Sequence, residues 1–258
     1  MQTEDTVFST SARSRLVTEQ ATNASDIRQS QRLRFLEYRT AKPAPDTDGG
    51  LLSDIYDDYC DHLIVRDYHT REVVACTRVL HVEKAAMIGG FYSQAMFDLG
   101  GMLGSPGKRM ELGHIHLHPD YAGDDAFGTL WAGICRVAER HDVTQILANV
   151  RVDASDGGTR AGKIAERLLH WYPAAPHFSA SPYRRAFAGG ARLTEVVEIP
   201  VPIKRYLHRG GRLCGPAGYN PHLELADILL VFERGGQRPR WLHALGRISG
   251  ESKTLAPA

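Results

Sequence analysis

The order of patterns along this chain predicts an α/β (α+β) fold: a mixed, mostly antiparallel central sheet flanked by helices. Two observations carry that reading. Short alternating or β-branched runs occur both as an adjacent pair and singly between helices, while two longer segments repeat their apolar residues at three- and four-residue spacing. Regular strand–helix alternation, the mark of a doubly wound sheet, is missing. The sequence also has no G-x-G-x-x-G, G-x-x-x-x-G-K-[ST] or G-x-S-x-G, which argues against dinucleotide, nucleotide-triphosphate and α/β-hydrolase sites.

Residues 1–24 are polar and poor in large apolar side chains, so a flexible N-terminal tail is expected there. Ser25 and Asp26 offer N-cap chemistry for a helix through "DIRQSQRLRFLEYRT". "AKPAPDTDGG" breaks it with two prolines and two glycines. "CDHLIVRD" and "REVVACTRVL" flank the short polar "YHT" and read as a hairpin. "GGFYSQAMFDLGGMLGSPGKR" is mixed and predicts a short helix with loops, and "MELGHIHLH" alternates up to Pro119 and predicts a strand. "DAFGTLWAGICRVAERHD" is the clearest helix, with Phe127, Leu130, Trp131, Ile134 and Val137 on one face. A strand, "VTQILANVRV", and an amphipathic helix, "RAGKIAERLLHWY", follow; then come a strand, "LTEVVEI", a short basic helix, "PIKRYLHRG", and a strand, "ADILLVFER". The organisation expected is one folded domain over 25–246 and a flexible C-terminal tail over 247–258.

Bulk numbers narrow the class. The 258 residues, 43% of them hydrophobic, suffice for one sizeable core, and a net charge of +1 exerts no overall pull on nucleic acid. Cys60, Cys76, Cys135 and Cys214 form no C-x-x-C pair and fit a reduced, cytoplasmic protein. The start lacks a signal-peptide pattern, and "ADILLVF" is far shorter than the ~20 residues of a spanning helix. Peripheral contact with the inner face of a membrane stays open.

His114, His116 and His118 stand at alternate positions of "MELGHIHLH" and would share one face of a regular strand. A three-histidine metal site is one reading. With 12 histidines in the chain and no H-E-x-x-H, hydrogen-bonded or surface imidazoles are the more ordinary one, and no metal is assigned. Gly113 suggests a bulge that opens the strand and turns Glu111 and His114 to one side.

Six blocks in one order, "CDHLIV", "GGFYSQAMF", "PGKRMELGH", "LHPDY", "LWAGI" and "PIKRYLHRGG", resemble the N-acyltransferases of bacterial ornithine lipid synthesis, once described as hemolysin-like, in the GNAT-type acyltransferase superfamily. The resemblance covers roughly residues 26–245. Acyl-homoserine-lactone synthases and N-acyl amino acid synthases share that fold. Their Arg-x-x-x-aromatic looks like Arg34 with Tyr38, their Asp-x-x-Asp like Asp54 and Asp57, and their second-strand Arg like Arg78. Their Glu-x-x-Arg looks like Glu111 with His114, a departure at the fourth position that bears on acceptor preference and on activity.

The resemblance implies a fatty acyl group, often 3-hydroxylated, moved from an acyl carrier protein thioester to the α-amine of an amino acid, ornithine in the family. It implies a phosphopantetheine thioester, or acyl-CoA, as donor and no permanently bound cofactor. Glu111 is then the general base or amine anchor, with Arg78 and His114 beside it in the catalytic set; the plainer alternative is a structural carboxylate paired with Arg78. Arg34, Asp54 and Asp57 bind the acceptor or order its loop. Phe91, Tyr92 and Phe97 line an acyl pocket or simply fill the core. Tyr121, Ala122 and Gly123 lead into a helix N-terminus that offers N–H groups to the pantetheine arm, although Asp124 and Asp125 add negative charge there. Lys204, Arg205, His208, Arg209 and Arg212 face an acidic carrier protein, anionic headgroups or only water. Three other readings compete: a signal or N-acyl amino acid synthase with another acceptor, a non-catalytic acyl-binding module, and a histidine-ligated metalloenzyme.

Overall fold

The computed structural model describes residues 7–8, 15–41, 48–187 and 197–233. In chain order its regular elements begin with β1 (Val7–Phe8), β2 (Leu16–Ala21), α1 (Ala24–Ala41), β3 (Asp61–Asp67), β4 (Val73–His81) and α2 (Val82–Met87). Then come β5 (Phe97–Asp98), β6 (Lys108–Leu117), α3 (Asp124–Arg140), β7 (Val143–Asp153), α4 (Thr159–Trp171) and β8 (Ser181–Pro182). The last are α5 (Val201–His208), β9 (Arg212–Leu213), β10 (Gly218–Asn220) and β11 (Leu225–Glu233). The fold is mixed α/β with a mostly antiparallel central sheet and flanking helices, as the sequence predicts. Two compact units divide it: one holds the chain to Leu80 and Gly113–His141, the other His81–Leu112 and the described chain from Asp142 on.

In the first unit β2 pairs antiparallel with β1 and β3, and β3 with β4, whose register shifts at Val65/Arg66. The two faces of this sheet are covered differently. Leu33 of α1 joins Ala21, Ile64, Val73 and Cys76 in a buried cluster. On the other face Thr18, an odd number of positions from Ala21, donates to the Thr129 carbonyl of α3 at 2.6 Å. Phe127, Leu130, Trp131 and Ile134 of α3 are buried as their spacing predicts. Gly133 permits this approach, because a Cβ there would come within 3.0 Å of the Thr18 Cβ. Helix α1 starts before the predicted cap: Asn23, not Ser25, accepts the Asp26 N–H at 2.9 Å.

The expected tail over 1–24 is corrected at its end, where Leu16–Ala21 is a strand. Its apolar alternation is weak because both faces of β2 meet a helix, so burial does not follow a simple in–out pattern. The C-terminal tail at 247–258 lies outside the described residues, as does most of "LTEVVEI"; its residues 197–199 are described and form no strand.

In the second unit the first half of β6 runs parallel to β7, from Lys108↔Val143 to Leu112↔Ala148, where the ladder ends. Strand β7 pairs antiparallel with β11 over Gln145↔Glu233 to Asp153↔Leu225. Both β9 and β10 sit on the far edge of β11, and β5 pairs with β8. Ile164, Ala165 and Leu168 bury one face of α4. Tyr206 of α5 meets the Phe232 ring edge-on at 5.8 Å.

Candidate active site

In the first unit, four residues singled out from sequence form one chain of ion pairs. Arg34 of α1 is fully buried, and its Nη1 donates to both Asp57 oxygens at 2.7 and 3.0 Å. Arg78 of β4 donates to Asp57 Oδ1 at 2.8 Å and takes Asp54 through both of its Nη atoms, one of them at 2.8 Å from Oδ2. The Asp54–Asp57 spacing works because the intervening turn points both carboxylates at one guanidinium; the Asp57 N–H bonds the Asp54 carbonyl at 3.1 Å. Tyr56 lies over the Arg78 guanidinium at 5.4 Å. His62 completes the buried end, with Nδ1 3.1 Å from Arg34 Nη2 and Nε2 3.0 Å from the Asp57 carbonyl. Sequence reasoning missed His62 and Gln31, which donates to Asp57 at 3.2 Å.

Burial acts to raise the Asp57 and Asp54 carboxyls, yet both are held below the usual range: Asp57 by Arg34 and Arg78, Asp54 by hydrogen bonds from His114 and Arg78. Burial, with the Arg34 charge, lowers His62. The bonded Asp57 is nearly inaccessible, whereas the Asp54 side chain is 36% exposed, so Asp54 is the open end of the network.

His114 adopts φ +50°, a left-handed backbone within β6. The distortion predicted for Gly113 therefore falls one residue later. Gly113 serves a different purpose: a Cβ there would lie 2.8 Å from Arg78 Nε, so the missing side chain lets the Arg78 stem cross the strand. The Gly113 carbonyl is fixed by Thr77 Oγ1 at 2.9 Å. His114 Nε2 lies 3.5 Å from Asp54 Oδ2, and its ring stacks on His116 at 5.7 Å. Burial and the Arg34 and Arg78 charges push this imidazole down to about 4, against the pull of Asp54, so it is neutral at pH 7. His118, which accepts from the Asp120 N–H at 3.3 Å, caps the turn after β6.

That turn uses the predicted donor-binding residues in another way. The Tyr121 N–H bonds the His118 carbonyl and the Ala122 N–H the Pro119 carbonyl. The Tyr121 hydroxyl donates to Asp67 at 2.6 Å and accepts from Arg15 at 3.1 Å. Gly123 remains the N-cap of α3, with Asp124 and Asp125 in the first turn.

In the second unit, the Glu111 carboxylate is buried and surrounded by donors. It accepts from the Tyr92 N–H at 2.6 Å, the Ser93 N–H at 2.9 Å, the Ser93 hydroxyl, and Asn149 Nδ2 at 3.3 Å. Phe91 and Phe97 are 2% and 1% exposed and belong to the packed interior. The Tyr92 hydroxyl takes a 2.5 Å hydrogen bond from Arg151. Arg151 also lies 3.5 Å from the buried Asp227, its cross-strand neighbour. Burial raises Asp227, with Arg151 opposing. Asn149 and Arg151 escaped the sequence reading; two polar residues at alternate positions of the otherwise apolar "ILANVRV" were the signal. On α5, Lys204 and His208 are exposed and Arg205 is half-buried; Arg209, just past its end, is half-buried, and Arg212 of β9 lies over Tyr172 at 5.7 Å.

Comparison with known proteins bears on this arrangement. An acetyltransferase (GNAT) domain model matches residues 32–132. The L-ornithine N(alpha)-acyltransferase of Rhodobacter capsulatus is 32% identical over 232 residues, spanning 83% of this chain and 88% of that protein. Its namesake from Rhizobium meliloti is 34% identical over 263 residues, 91% and 86% of the two chains. Two solved structures share the fold: FeeM, an N-acyl amino acid synthase from uncultured soil microbes, and BjaI, a CoA-dependent acyl-homoserine lactone synthase. FeeM has a TM-score of 0.51 at 9% identity, covering 85% of this chain and 91% of its own. BjaI has a TM-score of 0.51 at 15% identity, with coverages of 89% and 85%.

Proposed function

Because the chain belongs to the L-ornithine N(alpha)-acyltransferase family, an enzyme family of N-acyltransferases, we propose that it moves a fatty acyl group from an acyl carrier protein thioester to the α-amine of ornithine. The acyl chain is 3-hydroxylated in the preferred donor, and the product is an N-acyl amino acid of the lyso-ornithine-lipid type. The nitrogen lone pair attacks the thioester carbonyl, the C–S bond breaks, and one proton passes from nitrogen to sulfur.

The observation that carries this reading is the ion-pair chain ending in the half-open Asp54. Taken whole, the network is charge-balanced, two arginines against two carboxylates, with neutral imidazoles beside them, and Asp54 is its one half-open member. The reachable charge is then the Asp54 carboxylate, which favours a cationic acceptor such as ornithine. Glu111 has its oxygens engaged by the 92–93 backbone, Ser93 and Asn149, and its task is to hold that turn in place. Gly123 and the first turn of α3 receive the donor's single phosphate. Lys204 supplies exposed positive charge on α5 for an acidic carrier protein. Among the described residues no helix is long and apolar enough to cross a membrane, and any membrane contact in this reading is peripheral.

The test is incubation of the protein with 3-hydroxyacyl carrier protein, or with the matching acyl-CoA, and each of twenty amino acids plus ornithine, read by mass spectrometry. Thiol release that depends on ornithine and on the carrier protein is expected. Equal release without any acceptor, or acylation of a different amino acid only, overturns the assignment.

A further inference from the structure

His114 occupies a place for which neither the ornithine reading nor the ion-pair network yet gives a use. Its side chain is largely buried but reachable, at 19% exposure. The left-handed backbone at φ +50° is unfavourable for a residue other than glycine, so something in the surroundings holds it there. One contact is Asp54 Oδ2 at 3.5 Å from Nε2. Another is the stacked His116 ring. Nδ1 has no hydrogen-bonding partner among the described residues.

The pairing of a carboxylate with one imidazole nitrogen has a chemical consequence. Asp54 carries its charge, because Arg78 donates to both of its oxygens and the Tyr56 N–H adds a third donor at 2.9 Å. An ionised carboxylate beside Nε2 favours the tautomer with its proton on Nε2. The lone pair then lies on Nδ1, on the side of the ring without a partner. We propose that His114, oriented by Asp54, accepts the proton of the attacking amine at Nδ1 during acyl transfer. This rests on the acyltransferase reading above and adds to it a catalytic residue, His114, and a positioning residue, Asp54.

The charged and titratable groups around the ring support the assignment. Burial disfavours an imidazolium most, Arg34 of α1, Arg78 of β4 and His116 of β6 add to it, and Asp54 from the preceding loop favours one. The balance leaves the ring neutral, with its lone pair available, throughout the neutral range. Such a ring is too weak a base to deprotonate a free alkylammonium. It is suited to the tetrahedral adduct, whose nitrogen becomes far more acidic once bonded to the carbonyl carbon. In sequence, the neutral amine forms the N–C bond and the carbonyl π pair moves to oxygen. The adduct's N–H proton passes to Nδ1. The oxyanion reforms C=O and expels sulfur with the C–S electron pair, and the imidazolium returns its proton to the thiolate. The sum is amide and thiol, with His114 regenerated. The arginine found here in the resembling synthases cannot perform that exchange, since a guanidinium has no lone pair to offer near neutrality.

The test combines kinetics with a spectroscopic readout on the full-length protein. In H114Q the side-chain amide retains a donor for Asp54 but accepts no proton; kcat with ornithine should fall about a hundredfold or more, with KM for ornithine within about threefold of the original. H114R should be at least as slow, and added imidazole should partly restore H114A. Nitrogen-15 spectra of the histidine side chains at pH 7 should place the His114 proton on Nε2, and D54N should alter that tautomer ratio. An H114R variant with undiminished kcat overturns the proposal, as does an H114Q variant that loses only KM. So does a ring that is protonated, or carries its proton on Nδ1, at pH 7. The spectra decide the tautomer even if the protein acylates no ornithine, so failure of the acceptor assignment is distinguishable from failure of the proton-transfer assignment. A circular dichroism spectrum and unfolding midpoint matching the parent establish that each variant is folded.

Discussion

Replacing Asp57 with alanine should unfold the first unit more readily than any nearby surface change. Arg34 is fully buried, and Asp57 supplies its carboxylate partner at 2.7 and 3.0 Å. The same carboxylate also receives Arg78 at 2.8 Å. With Asp57 gone, two guanidiniums remain against Asp54 alone, and Arg34, whose Nε already lacks a hydrogen-bond partner, keeps only the His62 contact. Breaking a buried pair by removing one partner costs about 3–5 kcal/mol, because the other charge stays desolvated. For a chain of this size each kcal/mol moves the midpoint by about 2–4 °C, so a drop of roughly 10 °C is expected. Thermal and urea unfolding at pH 7.5, followed by circular dichroism, give the number. The double variant R34M/D57L leaves Arg78 and Asp54 as a balanced pair and fills the vacated space with apolar atoms. It should recover most of the loss, since well-packed hydrophobic replacements of buried pairs are often neutral. A D57A protein within about 0.5 kcal/mol of the parent, a change typical of surface substitutions, would refute the buried-network account, as would a double variant less stable than either single one.

Two further outcomes follow from the same contacts. His114 has a folded value of about 4 against an ordinary 6.5, so between those limits the unfolded chain binds more protons. Stability is therefore complete above pH 6.5 and is lost as pH falls toward 4, by about 2–3 kcal/mol, with the lowered His62 acting in the same direction. Asp54 and Asp57, both lowered, add a second loss only below the ordinary carboxylate range. Urea titrations at half-unit pH steps should show this slope in the parent and a shallower one in H114Q; a flat parent profile contradicts it. For Glu111, glutamine substitution turns an amide NH₂ toward N–H donors, and a stability loss of about 1–3 kcal/mol should accompany any fall in turnover. A hundredfold loss of kcat with an unchanged unfolding midpoint would instead make Glu111 the proton acceptor.

What the sequence made legible was local. The β3–β4 hairpin, the apolar face of α3 and the end of β6 before Pro119 all come from spacing within a few residues. The Arg34–Asp57–Arg78–Asp54 set came from the resemblance, and only the fold supplies its connectivity, because the partners lie 21 to 24 residues apart. Strand β2 was hidden because helices cover both of its faces and Thr18 spends its hydroxyl on α3. Tyr121 misled for a related reason. Its motif predicts backbone help for a donor, whereas its N–H bonds the His118 carbonyl and its phenol bonds Asp67, 54 residues earlier. Arg151 and Asp227 face each other only through the β7–β11 register, which a linear reading does not contain.

The fourth position of the Glu-x-x-His pattern can be understood by counting charge. Around it stand two guanidiniums and two carboxylates, already paired and mostly buried. An arginine at 114 would bring a third cation into that space and leave one positive charge without a partner, the arrangement that burial penalises most. A histidine avoids the penalty by staying neutral, and the fold enforces that choice through desolvation and the nearby Arg34 and Arg78. Neutrality is also what gives the ring a lone pair. The substitution thus exchanges a fixed cation, able only to hold an anion, for a group that can take up and release a proton. The Asp54 carboxylate, less neutralised than it would be beside a third cation, stays 3.5 Å from the ring's Nε2.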